Sequence, residues 1–442
     1  MLLTDFDEGV SLALDSLLAE RLAIFAGAGL SMAAPSNLPS AWTLAQKAKA
    51  KYTAQYGGAR PPLSNNIEEQ AEYFFQRGEL ATVFLGTLID RNAFAGRPNE
   101  GHYAIADLML ARALQTVVTT NVDTLVESAG AFLYGQVEVG IDGLAVAALP
   151  PAITPMLKLH GCRMIDVANT VWAPGQLAHN PVQSRIASST PWLTQRLLNR
   201  DLVIVGYWTD WDYLNAVLAS TLDAVNPSRV IVVDTADSAS FPAKAPALHA
   251  LGMRASGGFL HVQESGARFL AALRQEYSKS FIRQVLHGGA ADFQHCKGTD
   301  PDPTWLEAPD VENDQLWLMR RDLLGCEPNA PADAPRPPNE PLVGLTMIEL
   351  QAVGAVAEGT NWKLGGKTIR VLRTPNQMLD RVEATFEKDV APVVAPDIVV
   401  AVGAESRALP ASFARGSATG SIARGSGSMW MTHADAVKEL GL

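Results

Sequence analysis

Short apolar runs, each closed by a glycine or a polar residue, recur along the first half of the chain. They are Leu22 to Ala26 before Gly27, Gln115 to Thr120 before Asn121, Met156 to Leu159 before His160, Leu202 to Val205 before Gly206, and Val230 to Val233 before Asp234. Runs this short, with no polar face, predict strands buried on both sides. Helical patterns separate most of them, over His102 to Ala113, Trp192 to Asn199 and Tyr213 to Leu222. Strand and helix in alternation predict a doubly wound parallel α/β sheet. The first twenty residues read as an amphipathic helix, with Phe6, Val10, Leu12, Leu14, Leu17 and Leu18 as its apolar surface. Residues from Trp42 to Leu88, rich in Ala, Gln, Glu and Lys, read as helices broken at Tyr56 to Pro62, so a helical insertion is expected over about 42–112.

The pattern changes further on. Ser265 to Leu286 is helical, which closes a first domain at 1–287, and 288–327 reads as a connecting region. Residues 328–341 carry a run of prolines and read as an extended linker. The remainder, 342–442, reads as a small α+β domain with strands at Thr368 to Leu372 and Ile398 to Val402, and helices near Gln377 to Glu387 and Thr432 to Leu440. The repeat Ala414-Arg-Gly-Ser417 and Ala423-Arg-Gly-Ser426 reads as a surface loop, with two arginines facing an anion as the alternative.

Composition narrows the function. With 442 residues, 48% apolar and 18% charged, the chain has mass for two or three domains. Its formal charge of −11 argues against direct binding to nucleic acid or to an anionic membrane surface. The acidic N-terminus and the lack of a long apolar run point to a cytoplasmic protein without a membrane span. The three cysteines, Cys162, Cys296 and Cys326, form no Cys-x-x-Cys pair, so no four-thiolate zinc site is expected and no metal ligands are assigned.

The candidate chemistry lies where the runs end, since open parallel sheets bind ligands at the carboxyl ends of their strands. Turn preference alone accounts for Gly206 and Asp234, but not for His160. Gly27-Ala28-Gly29-Leu30-Ser31 follows a strand and opens a helix, the setting in which backbone N–H groups receive a phosphate. Ser31 adds a hydroxyl donor there. A dehydrogenase fingerprint would place a third glycine where Met32 stands and an acid about twenty residues on, where Gln46, Lys47, Lys49 and Lys51 stand. A hydride-transfer enzyme is therefore disfavoured.

Four segments, taken in order, resemble the sirtuin (silent information regulator) family: Gly27-Ala-Gly-Leu-Ser31, Thr119-Thr-Asn-Val-Asp123, Lys158-Leu-His-Gly161 and Val205-Gly-Tyr-Trp-Thr-Asp210. The resemblance covers roughly 15–240, and Gly29 to Pro39 looks more like the bacterial sirtuin-like NAD hydrolases of antiphage defence than the deacylases. It implies a sirtuin-like Rossmann domain with NAD as substrate. Gly27, Ala28, Gly29 and Ser31 match the phosphate turn, and Thr120 is expected to touch the cofactor. Asn121 and Asp123 match the pair beside the nicotinamide ribose, and His160 matches the catalytic histidine. Gly206 matches the glycine over the adenosine side, and Asp234 lies where a strand end approaches the adenine ribose. The deacylases carry a zinc module with two cysteine pairs and an Asp-Phe-Arg stretch, and this chain has neither, since Asn37 to Trp42 stands in the second place.

The resulting expectation is an NAD glycohydrolase that releases nicotinamide and ADP-ribose, acting as a regulated effector of antiphage defence. The resemblance further implies a homo-oligomer with a partner protein such as a HerA-type ATPase or a short Argonaute. The rival readings are an NAD-dependent protein deacylase and a noncatalytic NAD-binding scaffold subunit.

Overall fold

The five apolar runs all become strands, and the reason is burial on both faces: every residue of Leu22–Ala26 and Asp201–Val205 is buried. In a computed structural model describing residues 1–206, 212–332, 339–391, 395–406 and 428–442, apart from the side chains of residues 91 and 213, they belong to one parallel sheet. Its strands are β1 (Leu2–Thr4), β2 (Leu22–Ala26), β3 (Thr116–Thr119), β4 (Val139–Gly140), β5 (Met156–Lys158), β6 (Asp201–Val205), β7 (Arg229–Val233) and β8 (Phe259–Val262). They lie side by side as β1-β8-β7-β6-β2-β3-β5-β4, and every pairing is parallel. The chain leaves β2 toward β3 and β5, then crosses back to lay β6 on the other side of β2. The carboxyl ends of β2, β3, β5 and β6 therefore meet at a topological switch point.

Three strands escaped the pattern. β1 is short and presents Leu2 and Leu3 at 70% and 69% exposure, β4 has two residues, and β8 carries the fully buried His261. The N-terminal helix begins later than expected, at Phe6, because Asp5 caps it by accepting from the Glu8 N–H at 2.8 Å. It buries Val10, Ala13 and Leu17, the spacing of one helical face, and leaves Leu18 exposed.

The expected insertion contains the helices Ala41–Tyr56 and Ile67–Phe75 and the wide π-turned segment Leu80–Leu88. Leu44, Ala48, Tyr52, Phe74 and Phe84 give it a core of its own. The helix Glu100–Leu110 then leads into β3.

The described chain divides into two compact units, Met1–Leu273 and Arg274–Leu442. The helix expected to end at Leu286 runs from Gly266 to Lys297. In the second unit the strands are β9 (Val356–Glu358), β10 (Asn361–Leu364), β11 (Lys367–Arg373), β12 (Ile398–Val402) and β13 (Met429–Thr432). They form a mixed sheet ordered β13-β12-β11-β10-β9, with the two expected strands, β11 and β12, parallel at its centre. Arg370 pairs there with Asp322 and Asp389, and Arg321 also reaches Asp389, at 2.7 Å. The Ala-Arg-Gly-Ser repeat, positions 333–338 of the linker and positions 207–210 of the fourth motif lie outside the described residues. Among the described residues no helix is long and apolar enough to cross a membrane.

Candidate active site

The glycine turn is built by contact with another glycine. Gly27 N–H donates to the Val205 carbonyl at 2.9 Å and Gly29 N–H to the Gly206 carbonyl at 2.8 Å, tying the end of β2 to the end of β6. A Cβ on Gly29 would lie 2.8 Å from the Gly206 oxygen, and one on Gly206, whose φ is +61°, would lie 2.3 Å from the Leu30 nitrogen. Both positions therefore exclude side chains. Gly27 is buried behind the turn, while Ala28 and Gly29 face outward into a cavity of about 660 Å³.

That cavity collects the strand ends. Ala28, Gly29, Ser31, Thr120, Asn121, Asp123, His160, Gly206 and Asp234 all line it, so of the residues singled out in the sequence only Gly27 stands behind its wall. It also takes in Trp42, Phe94 and Trp172 from the insertion side, and Thr235, Glu264, Ser265 and Gly266 from the ends of β7 and β8. The apolar pattern does not mark the last three, because His261 interrupts the run that forms β8. The Glu-Ser-Gly turn that follows it was the available signal.

Ser31 departs from the donor role given to it. Its hydroxyl donates to Asp123 Oδ2 at 2.8 Å and accepts from Asn121 Nδ2 at 3.1 Å. His102 Nε2 lies 3.1 Å from the same oxygen. His102 Nδ1 already accepts the Asn99 backbone N–H at 3.1 Å, so the imidazole proton sits on Nε2 and is donated to Ser31. The serine proton is thus committed to Asp123 rather than to a phosphate. No sequence pattern links His102 to Ser31, 71 positions away. Its one legible feature was the box that it forms with Asn99 at the start of its helix.

Asp123 has a second duty. Its Oδ1 accepts the Leu125 N–H at 3.0 Å and so starts the helix Leu125–Phe132, and its backbone carbonyl receives the buried Lys158 ammonium. Asn121 is different. Its amide oxygen is buried and has no hydrogen-bond partner among the described residues. A buried acceptor left open costs stability, so its retention here needs a reason other than the fold.

His160 is 7% exposed and donates a ring N–H to the Thr120 carbonyl. Burial, and then the nearby Arg185 charge, bring its pKa down to about 4 against the opposing Thr120 bond. Burial likewise brings His102 to about 4, with Asp123 opposing. Both imidazoles are neutral at physiological pH, the form in which a histidine can take a proton. At the other side, burial raises the Asp234 carboxyl above its usual value, and its Oδ1 accepts the Ala236 N–H at 2.9 Å.

The two histidines predict acid lability. In the unfolded chain an imidazole protonates near 6.5, whereas in the fold these two resist until about 4. Their neutral burial therefore contributes stability that is full above about 6.5 and falls as the pH drops toward 4. Each histidine is expected to contribute on the order of 3 kcal/mol to that loss. Urea unfolding at about pH 7 and about pH 4.5 reads it directly, and equal midpoints would contradict the buried neutral state.

No protein-family model matches the sequence, and no curated protein matches it. Among solved structures the chain is similar to Sir2 enzymes. A structure from a study of the mechanism and regulation of Sir2 enzymes aligns at 15% identity, covering 61% of this chain and 98% of that one with a TM-score of 0.34. A Sir2 complex with a p53 peptide and NAD+ aligns at 14% identity, covering 60% and 96%, also with a TM-score of 0.34. The α/β assignment itself stands on the parallel sheet and its switch point.

Proposed function

We propose that this chain cleaves NAD to nicotinamide and ADP-ribose. The observation that carries the reading is the sharing of one cavity by a glycine turn, an asparagine with an open amide oxygen and a neutral buried histidine. Its volume of about 660 Å³ falls in the range of small-molecule and cofactor sites. Each sequence motif that resembles sirtuins brings at least one residue to this cavity, among them Gly29, Asn121, His160 and Gly206, which supports NAD as the dinucleotide.

In this reading the backbone of Ala28 and Gly29 receives the diphosphate. The bond between ribose C1′ and the nicotinamide nitrogen breaks, and the electron pair leaves with neutral nicotinamide. Positive charge builds on the ribose, near the Asp123 carboxylate. Water bonded to the open Asn121 oxygen attacks C1′, and its proton passes to the neutral imidazole of His160. The finer role, a regulated effector of antiphage defence, is supported by the Gly29 to Pro39 stretch.

A second reading, an NAD-dependent deacylase, is favoured by one feature. A cavity of about 240 Å³ with largely apolar walls, including Leu85, Ile89 and Val167, shares Phe94, Val122 and Trp172 with the first. An acyl group lodged there would stand beside Asn121 and Asp123. The two readings separate by product. Purified protein is incubated with NAD, alone and with the product of a neighbouring gene, and free nicotinamide and ADP-ribose are measured by chromatography. Release of both without a peptide is expected. NAD left intact by folded protein under every activating condition defeats the hydrolase, and O-acyl-ADP-ribose from an acyl-lysine peptide establishes the deacylase.

A further inference from the structure

One large aromatic side chain on the cavity wall is not used by the fold. Trp42 is the second residue of the helix Ala41–Tyr56, which Ser40 caps by accepting the Thr43 N–H at 3.1 Å. That helix puts Leu44, Ala45, Ala48 and Tyr52 into the core of the insertion and leaves Trp42 68% exposed. Among the described residues no other aromatic ring packs against it. A tryptophan carries one of the largest apolar surfaces of any side chain, and here the burial of that surface is forgone. Trp42 lines the cavity, beside Met32, which is also exposed.

The charge of the wall distinguishes the two rings of a dinucleotide. The described lining residues include three carboxylates, Asp123, Asp234 and Glu264, and no lysine or arginine. Such a wall favours a cationic ring over a neutral one. In NAD the nicotinamide ring carries a positive charge and adenine carries none. Strand order gives each ring a side. With the diphosphate at the turn that ties β2 to β6, Asn121, Asp123 and His160 stand at the ends of β3 and β5, while Asp234 and Glu264 stand at the ends of β7 and β8. Trp42 comes from the insertion between β2 and β3. The Phe94 ring of that insertion lies 5.8 Å from Trp172, which follows β5, so this wall adjoins the β3 and β5 side.

We propose that Trp42 is a binding residue for the nicotinamide ring, stacking on its face, and that it selects the oxidised dinucleotide over the reduced one. The inference rests on the reading of the cavity as an NAD site, but not on cleavage. The oxidised ring is flat, aromatic and cationic, and an indole face is the strongest aromatic partner for a cation. The reduced ring is neutral and has a tetrahedral carbon, so it keeps the apolar contact and loses the attraction of charge. Departure of the nicotinamide with the bonding electron pair also removes that charge, so the hold of Trp42 weakens when the product is formed.

The test compares the full chain with Trp42→Ala and Trp42→Phe by calorimetry. The probes are carba-NAD, whose ribose ring oxygen is replaced by a methylene so that the bond resists cleavage, NADH and ADP-ribose. The parent is expected to bind carba-NAD more tightly than NADH, with quenching of its tryptophan fluorescence. Trp42→Ala is expected to lose about tenfold in affinity for carba-NAD and less than about threefold for NADH. Its affinity for ADP-ribose, which lacks the ring, stays at the parent value. Trp42→Phe falls between parent and Trp42→Ala. Tm stays near the parent in both variants, because the side chain is on the surface. An unchanged affinity for carba-NAD removes Trp42 from the ligand, an equal loss for ADP-ribose moves it to the adenine, and an equal loss for NADH removes the selection by charge. Each of these overturns the proposal. A parent that binds none of the three probes defeats the NAD reading and this inference with it, whereas one that binds carba-NAD and leaves NAD intact defeats hydrolysis alone.

Discussion

His160→Ala is expected to reduce nicotinamide release by about 10²- to 10⁴-fold, the usual worth of a positioned general base, with little loss of NAD binding. The imidazole donates to the Thr120 carbonyl and lines the cavity. Asn121→Ala is expected to match it. That substitution removes one bond, from Nδ2 to Ser31 at 3.1 Å, and an amide oxygen that has no partner to lose. Circular dichroism and Tm should therefore stay near the parent while single-turnover chemistry collapses. Full turnover in either folded variant would remove these residues from the reaction and leave a binding site only.

Gly206→Ala is expected to be strongly damaging. The new Cβ would sit 2.3 Å from the Leu30 nitrogen, and the backbone at φ +61° already disfavours any side chain. The left-handed conformation alone costs roughly 1–2 kcal/mol, and the collision adds to it because the obstacle is backbone. Gly57→Ala separates the two contributions. Gly57, at φ +52° and ψ −134° with nothing within 4 Å of its Cβ position, reports the strain of a positive φ without collision. We expect a small Tm decrease for Gly57→Ala, a much larger one for Gly206→Ala, and loss of NAD binding by calorimetry in the second alone. Equal losses would mean that the close approach of the two glycine turns matters to neither fold nor ligand.

What the sequence made legible follows from burial. β2, β3, β5, β6 and β7 lie inside the sheet with neighbours on both sides, so their residues are apolar without alternation and their ends are marked by a change of residue type. A parallel sheet then places those ends on one edge, which is why Asn121, His160, Gly206 and Asp234 meet although they are far apart in the chain. β1 and β4 are the outer strands, too short and too exposed to leave that signature. His102 was illegible for another reason. Its neighbours in sequence explain it completely as part of a helix cap, and only the folded chain brings its other nitrogen to Ser31. The bond from the Ser31 hydroxyl to Asp123 is illegible on the same ground, because the two lie 92 positions apart.

Ser31 lies on the four-residue helix Gly29–Met32, which opens on the glycine that faces the cavity. In the proposed reading one end of this short piece meets the dinucleotide, while Ser31 at its other end holds the Asn121 amide and the Asp123 carboxylate. Grip and chemistry are thereby a single inherited trait. On that reading, a lineage drifting at this turn would disturb its hold on the substrate and the placing of the Asn121 amide together. Selection for either property preserves the other.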